Sequence, residues 1–321
     1  MGGVILQFSS NGKFIRQINK VGQGPGEIHV RCSTIDEDKQ LIYTYNHYTH
    51  DIYVFNTDGK YIRTIKNPLK NDATITNEIS IMSLHNGNLL FPLTNNHGLC
   101  PYKYVVLNTN GEIIHKEFNY IKFSTKKRVL MISIPDNNSS PFMIDGLSCL
   151  LKKQFNDTIF VINPDFSCTP KYVIKLEKLY TLEDRQKLAS SEFDISEISD
   201  KNNLYGVTQN ETYFYFFHNK VDYSNHFFSR YNKQTKQLLD NVNYEIVNDW
   251  DGGMDIKFEY KHQNPSVMCV PLWPFEMHEK LTNSHFSNSQ ARYPEQKEAL
   301  KKLLKNLKED DNPVLMMILL K

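Results

Sequence analysis

Four short segments of this 321-residue chain hold residue types that can do chemistry, and spacing decides each case. Gly22-Gln23-Gly24-Pro25-Gly26-Glu27 is glycine-rich enough to wrap a phosphate. A phosphate loop needs a helix N-terminus behind it to supply free N–H groups. The next residues are Ile28-His29-Val30-Arg31, a strand-like stretch, and Pro25 removes one donor. The segment therefore reads as a connection that needs positive φ. Asn248-Asp249-Trp250-Asp251-Gly252-Gly253 has the look of a calcium loop. Such a loop needs an acid at its first position and Glu at its twelfth. With Gly252 placed sixth, those positions hold Val247 and Phe258, so the match fails. Two carboxylates beside a tryptophan remain as a turn that can line a ligand site. His47 and His50 stand three apart, which on a strand sends them to opposite faces, and no HExxH motif offers a zinc pair. Gly146-Leu147-Ser148-Cys149-Leu150 lacks the second glycine of a nucleophile elbow.

Charge and cysteine usage narrow the classes further. Thirty-seven basic residues face 36 acidic ones, for a net charge of +1, so the basic excess of a nucleic-acid partner is missing. Cys32, Cys100, Cys149, Cys168 and Cys269 are widely spaced with no CxxC pair, which excludes a zinc ribbon and reads as free thiols. Met1-Gly2-Gly3-Val4-Ile5-Leu6 has no basic region of a signal peptide. The run Val314 to Leu320 is too short to span a bilayer, so no transmembrane segment is expected.

The elements that must position these residues come from a repeated phrase. Phe8-Ser9-Ser10-Asn11-Gly12-Lys13-Phe14-Ile15-Arg16 recurs as Phe55-Asn56-Thr57-Asp58-Gly59-Lys60-Tyr61-Ile62-Arg63, and again as Leu107-Asn108-Thr109-Asn110-Gly111-Glu112-Ile113-Ile114-His115. Each copy is a strand, a turn closed by Asn-Gly or Asp-Gly, and a second strand, which predicts hairpins with type I′ turns. Weaker copies end at Ile162 and Tyr231, where Asn163-Pro164-Asp165 and Asn232-Lys233-Gln234-Thr235-Lys236 replace the glycine turn. The anchors Phe8, Phe55, Leu107, Ile162 and Tyr231 lie 47, 52, 55 and 69 residues apart. A unit of that size holds four short antiparallel strands, the content of one propeller blade. The predicted blades are 31–66, 79–118, 128–175, 203–239 and 244–320, with a partial one at 4–18. Two helices are expected, Leu182 to Ser190 and Pro294 to Leu307. The second carries a stripe of Leu300, Leu303, Leu304 and Leu307, and a buried closing strand comes after it at 314–320.

The Gly22–Glu27 segment, with Asn11-Gly12-Lys13-Phe14-Ile15-Arg16 and Tyr53-Val54-Phe55-Asn56-Thr57-Asp58-Gly59-Lys60 on either side, resembles the NHL-like six-bladed β-propeller proteins common in Bacteroidetes. Asp311-Asn312-Pro313-Val314-Leu315-Met316 resembles their closing strand. The resemblance implies one all-β domain over residues 1–321: a six-bladed β-propeller with an incomplete first blade and a C-terminal helix packed on it. It implies export, as a periplasmic protein or an outer-membrane lipoprotein, and carries over no catalytic residue. Because the first unit begins at its third strand, two inner strands and an export signal are expected upstream of Met1.

On that architecture, loops from every blade meet at one end of a channel. The leading expectation is a binding or scaffold protein for a carbohydrate, peptide or protein, without a cofactor or bound metal. Its candidate ligand-binding residues are Tyr45, Tyr48, His85, Asp249, Trp250 and Trp273, chosen because loop aromatics beside a polar group suit such ligands. The alternative is a lactonase- or lyase-like enzyme holding one divalent metal through inward residues such as Glu27, Asp36, Asp145 and Asp249.

Overall fold

A computed structural model describes residues 3–9, 12–24, 26–75, 80–84, 86–95, 98–123, 142–143, 147–153, 155–187, 195–221, 226–242, 245–257, 267–282 and 284–319. Strands dominate, as the alternating apolar pattern requires. The hairpin β1 (Leu6–Phe8) and β2 (Phe14–Gln17) comes first. The first four-stranded meander holds β3 (Val30–Asp36), β4 (Leu41–Asn46), β5 (Ile52–Asn56) and β6 (Tyr61–Ile65). The second holds β7 (Met82–Ser83), β8 (Leu89–Pro92), β9 (Tyr102–Leu107) and β10 (Ile113–Phe118). The third holds β11 (Phe142–Met143), β12 (Cys149–Lys152), β13 (Thr158–Ile162) and β14 (Cys168–Val173). After the short helix α1 (Leu182–Lys187), a fourth meander holds β15 (Asn202–Gln209), β16 (Tyr213–Lys220), β17 (His226–Asn232) and β18 (Leu238–Val242).

The C-terminal part departs from the expected single blade over 244–320. Its described residues form two separate two-stranded sheets, β19 (Glu245–Ile246) with β20 (Ile256–Lys257), and β21 (Val267–Leu272) with β22 (Val314–Leu319). Between β21 and β22 lie α2 (Pro274–Leu281), α3 (Ser284–Asn288) and α4 (Pro294–Asn306). The first two helices escaped the sequence reading. The signal was there for α2, since Pro274 sits in its first turn and Met277 and Leu281 share one buried face.

The hairpin turns correct one expectation. Gly12, Gly59 and Gly111 have φ of 81°, 82° and 87°, while the preceding Asp58 and Asn110 do not take positive φ. The turns at Gly59 and Gly111 are type I turns closed by a left-handed glycine, not type I′ turns, and the amides of these two glycines donate to the carbonyls of Asn56 and Asn108. The recurring Asn has its own reason. Asn56 Oδ1 accepts from the Lys60 amide at 2.8 Å, and Asn108 Oδ1 from those of Asn110 and Glu112 at 2.9 and 3.0 Å. Where the glycine is lost the turn survives, with Phe166 and Lys236 taking the left-handed φ at 67° and 61°.

The chain divides into two compact units: Met1–Val207 with His218–Asn225, and Thr208–Phe217 with His226–Lys321. In the first unit successive sheets pack face to face. Ile5, Ile18 and Ile28 meet Ile42 and Phe55 of the first meander. The other face of that meander, with Tyr43, Tyr45, Ile52 and Val54, meets Leu89, Phe91, Val105 and Leu107 of the second. The second in turn packs Met82, Leu90, Tyr104 and Val106 on Cys149, Leu151 and Ile162 of the third. The second unit has its own core of Met254, Leu272, Met277, Leu281, Phe286 and Leu304, with Leu300, Leu307, Val314 and Met316 packed on it. The α4 stripe thus buries as expected except at Leu303, which is 40% exposed. β22 pairs with β21 from Val314↔Leu272 to Leu319↔Val267. It is not the buried strand expected, because only one of its faces meets the core and Leu315, Met317 and Leu319 on the other are exposed.

Candidate functional site

In an antiparallel meander the β4–β5 loop and the chain leaving β6 emerge at the same end of the sheet. At that end of the first meander stands the loop 46–51, which gathers aromatic, imidazole and carboxylate groups. Asn46 ends β4, and its Oδ1 accepts from the amides of Tyr48 at 2.8 Å and Thr49 at 3.2 Å, which bends the chain at once. His50 takes a left-handed φ of 57°, and the Asn46 amide closes the loop on the Asp51 carbonyl. The result projects Tyr48, which is 64% exposed. Its ring is flanked edge-on by His29 at 4.8 Å and His47 at 5.0 Å between centroids. The His47 amide bonds the His29 carbonyl, so both imidazoles are tied to the same point of backbone.

Beneath this surface the groups are buried and paired. Tyr45 is fully buried, and its hydroxyl lies 3.1 Å from His50 Nδ1. Burial pushes the Tyr45 phenol up to about 12, so it stays protonated. His50 is held below its ordinary range by burial and by the charges of Arg31, His47 and Lys70. A protonated phenol facing a neutral imidazole makes Tyr45 the donor to Nδ1. Asp51 is buried and accepts from Lys66 Nζ at 2.9 Å, Lys70 Nζ at 3.0 Å and the Asn67 amide at 3.1 Å. Burial pushes its carboxyl up, but these bonds outweigh it and hold it below the ordinary range. Arg31 is set apart by the register. Val30 pairs with Asn46 and Cys32 with Tyr45, so Arg31 is the additional residue of a bulge on the edge strand. It is exposed and makes no ion pair among the described residues.

The second unit presents a different aromatic surface. Trp250 is 53% exposed and its ring lies 4.0 Å from that of Tyr293. The loop carrying it is fastened by backbone: the amides of Arg292 and Tyr293 donate to the carbonyls of Asp249 at 2.7 Å and Trp250 at 2.9 Å. Asp251 Oδ1 accepts from Asn248 Nδ2 at 2.7 Å and the Gly253 amide at 2.9 Å, an arrangement that serves the turn itself. Buried Lys297 donates to Ser289 Oγ at 3.0 Å, and Ser289 Oγ donates to the Gly252 carbonyl at 3.0 Å. Asp249 is exposed beside Trp250. Trp273 stands at the N-cap of α2, 48% exposed, with no ring contact to Trp250 among the described residues.

The structure thus sets Tyr45 in β4, a core residue rather than a surface one beneath the loop that carries Tyr48, and brings Asp249 and Trp250 to another loop. His85 and Asp145 lie outside the described residues. Sequence reasoning missed His29, Arg31, Asp51 and Tyr293; among these only the acid at the mouth of a strand carried any local signal. The glycine-rich segment is filled by its own side chain. Glu27 Oε2 accepts from the Gly24 amide at 2.9 Å, and a Cβ on Gly22 would lie 2.1 Å from that oxygen. Its glycines make room for a carboxylate of the chain, not for a phosphate. Asp36 accepts from the Lys39 amide at the far end of β3. Seven residues of strand, about 20 Å, keep it from converging with Glu27 on one ion. Among the described residues no group of three or more His, Cys, Asp or Glu side chains converges to hold a metal. All five cysteines are free, and burial pushes the Cys32 thiol up to about 12.

Residues 3–318 match the model of a domain of unknown function, DUF4934. The chain belongs to that family. No curated protein matches it. The chain is similar to a Bacteroides fragilis protein named "Putative exported protein", at 15% identity and a TM-score of 0.70 over 100% of this chain and 86% of that one, which shows a shared fold. It is more distantly similar to a member of the duf4221 family from Bacteroides vulgatus, with 13% identity, a TM-score of 0.48, and 74% and 73% of the two chains covered. For virginiamycin B lyase from Staphylococcus aureus the values are 15% identity, a TM-score of 0.39, and 74% and 62% coverage. No helix among the described residues is long and apolar enough to cross a membrane.

Proposed function

We propose that this DUF4934 chain is a six-bladed, NHL-like β-propeller in one domain, exported from the cell, that binds its ligand through loop aromatics without transforming it. The stacking of successive four-stranded meanders in the first unit supports the blade reading. The shared fold with the Bacteroides fragilis protein is in keeping with export. The binding role rests on one observation, the exposed Tyr48 ring pinned between two imidazoles at a loop end. An exposed ring whose orientation is already set loses little entropy on contact, which is what a recognition surface needs. An enzyme of the lyase type would instead draw Glu27 and Asp36 together, and they serve turns at opposite ends of β3.

Calorimetry of the full chain against neutral oligosaccharides, acidic oligosaccharides and short peptides tests the reading. Saturable binding that Tyr48→Ala or Trp250→Ala abolishes, with the ligand recovered intact, supports it. Recovery of cleaved or rearranged ligand would replace it with the enzymatic alternative.

A further inference from the structure

Resting on the binding reading above, we infer that the loop end around Tyr48 takes a carboxylate-bearing oligosaccharide, with Arg31 as the carboxylate anchor and Tyr48 as the platform for a sugar ring. Charge distribution is the first support. The chain as a whole is almost neutral, with 37 bases against 36 acids. At this end Arg31, Lys66 and Lys70 gather with three histidines around a single carboxylate, Asp51. That carboxylate is buried and already accepts two lysines and a backbone amide. One carboxylate is shared by two lysines, and Arg31 is left without an ion pair among the described residues. Asp72 and Glu27 make no ion pair with these bases among the described residues: Asp72 accepts from Thr74, and Glu27 from the Gly24 amide.

The second support is the backbone. A bulge inserts Arg31 beside the pairs that Val30 and Cys32 make with Asn46 and Tyr45, the residues leading into the loop. A bulge re-aims one side chain at the expense of regular pairing. Here the re-aimed group is an exposed guanidinium with no ion pair among the described residues. A planar guanidinium pairs with a carboxylate through two parallel hydrogen bonds, which a lysine cannot reproduce.

The third support is the neighbour. A pyranose offers an apolar face of C–H groups and a rim of hydroxyls. An exposed tyrosine takes the first and imidazole nitrogens take the second. A peptide carboxylate would satisfy Arg31 alone and leave the ring platform without a role.

Titration calorimetry on the full chain decides the matter with three probes: tetragalacturonic acid, maltotetraose and tetraglutamate. The acidic tetrasaccharide is expected to bind best, and roughly severalfold more weakly as sodium chloride rises from about 0.05 to 0.3 M. Arg31→Gln is expected to lower its affinity about tenfold or more and Arg31→Lys by less, with melting temperatures near the parent's because the side chain is exposed. Tyr48→Ala is expected to abolish binding of the acidic tetrasaccharide. Equal affinity for maltotetraose, lost in Tyr48→Ala but unchanged in Arg31→Gln, overturns the acidic class and leaves the binding reading standing. Tighter binding of tetraglutamate, sensitive to Arg31 and indifferent to Tyr48, overturns the sugar and leaves a peptide-binding protein. Absence of binding by all three overturns this inference, and the wider panel then judges the binding reading.

Discussion

The loop after β4 and the loop after β19 each hold an exposed aromatic ring, and they hold it by different means. In the first, side chains do the fastening: Asn46 caps the turn, Asp51 anchors its end to Lys66, Lys70 and the Asn67 amide, and Tyr45 meets His50 beneath. In the second, backbone amides of residues 292 and 293 clamp the loop, and Lys297 braces the segment behind it through Ser289. Side-chain fastening makes a loop sensitive to pH and to single substitutions. Backbone fastening makes it sensitive to whatever holds the second segment in place. The first arrangement also leaves unspent positive charge at the surface, whereas the second sets acids beside its ring.

The sharpest way to break this contrast is Asp51→Ala. It leaves the buried Asn67 amide without its acceptor and releases two solvent-accessible lysines, and an expected loss of about 2–3 kcal/mol should appear in urea unfolding. The acid dependence carries a sign. The depressed carboxyl of Asp51 favours the folded state above its ordinary value of 3.8, and that stability is lost as pH falls through the lower folded value. The variant should therefore lose the corresponding drop at the acid end, and an unchanged profile would remove Asp51 as the anchor.

Next in size is Lys297→Met. It keeps the buried stem and removes the donor to Ser289, so about 1–2 kcal/mol is expected by the same measurement. Quenching of Trp250 fluorescence by acrylamide should change with it, since the Ser289–Gly252 link loses its brace. A stability loss without any fluorescence change would confine Lys297 to the core.

Asn46→Ala should cost about 1 kcal/mol, because two loop amides lose their acceptor. Amide exchange at Tyr48 and Thr49 should quicken while exchange around Trp250 stays as it was. Equal acceleration in both loops would show that the two are not independently fastened.

The smallest effect concerns His50. Its imidazole is held below the ordinary value of 6.5, so the neutral form favours the fold. That contribution is complete above the ordinary value and is lost as pH falls below it. His50→Asn keeps a residue that tolerates the left-handed φ of 57°. Its melting temperature should fall less between pH 7 and 5 than the parent's, and a parallel decline would assign the pH response to another group.

Much of the scaffold was legible in the sequence because the signals are short. An Asn-x-x-Gly turn between two apolar runs specifies a hairpin from about ten residues, and every predicted hairpin of the first three copies is present. The reading of type I′ geometry failed because dipeptide identity does not count loop length. The three-residue loop places only its glycine at positive φ. Over 244–320 the expected strands are present as β19, β21 and β22, and what the local pattern left out is the helix that Trp273-Pro274 opens between the last two. Of the site, Tyr48, Asp249 and Trp250 were recognisable as aromatic and polar residues in turns. Tyr45 was misread as a surface residue, since alternation along β4 is masked by burial on both faces.

Local pattern was enough for the order of strands, the turns that join them, the α4 stripe and the failure of the phosphate, calcium and zinc motifs. Each of these depends on residues a few positions apart, where backbone geometry alone dictates which side chains share a face. Long-range packing was required for His29 beside Tyr48, nineteen residues away, for Tyr293 on Trp250, and for the two lysines that converge on buried Asp51. It also decided that Glu27 fills its own glycine loop and that Arg31 is the bulged residue. Such contacts arise from how sheets stack and register, a property of many residues at once, and no short stretch of sequence carries it.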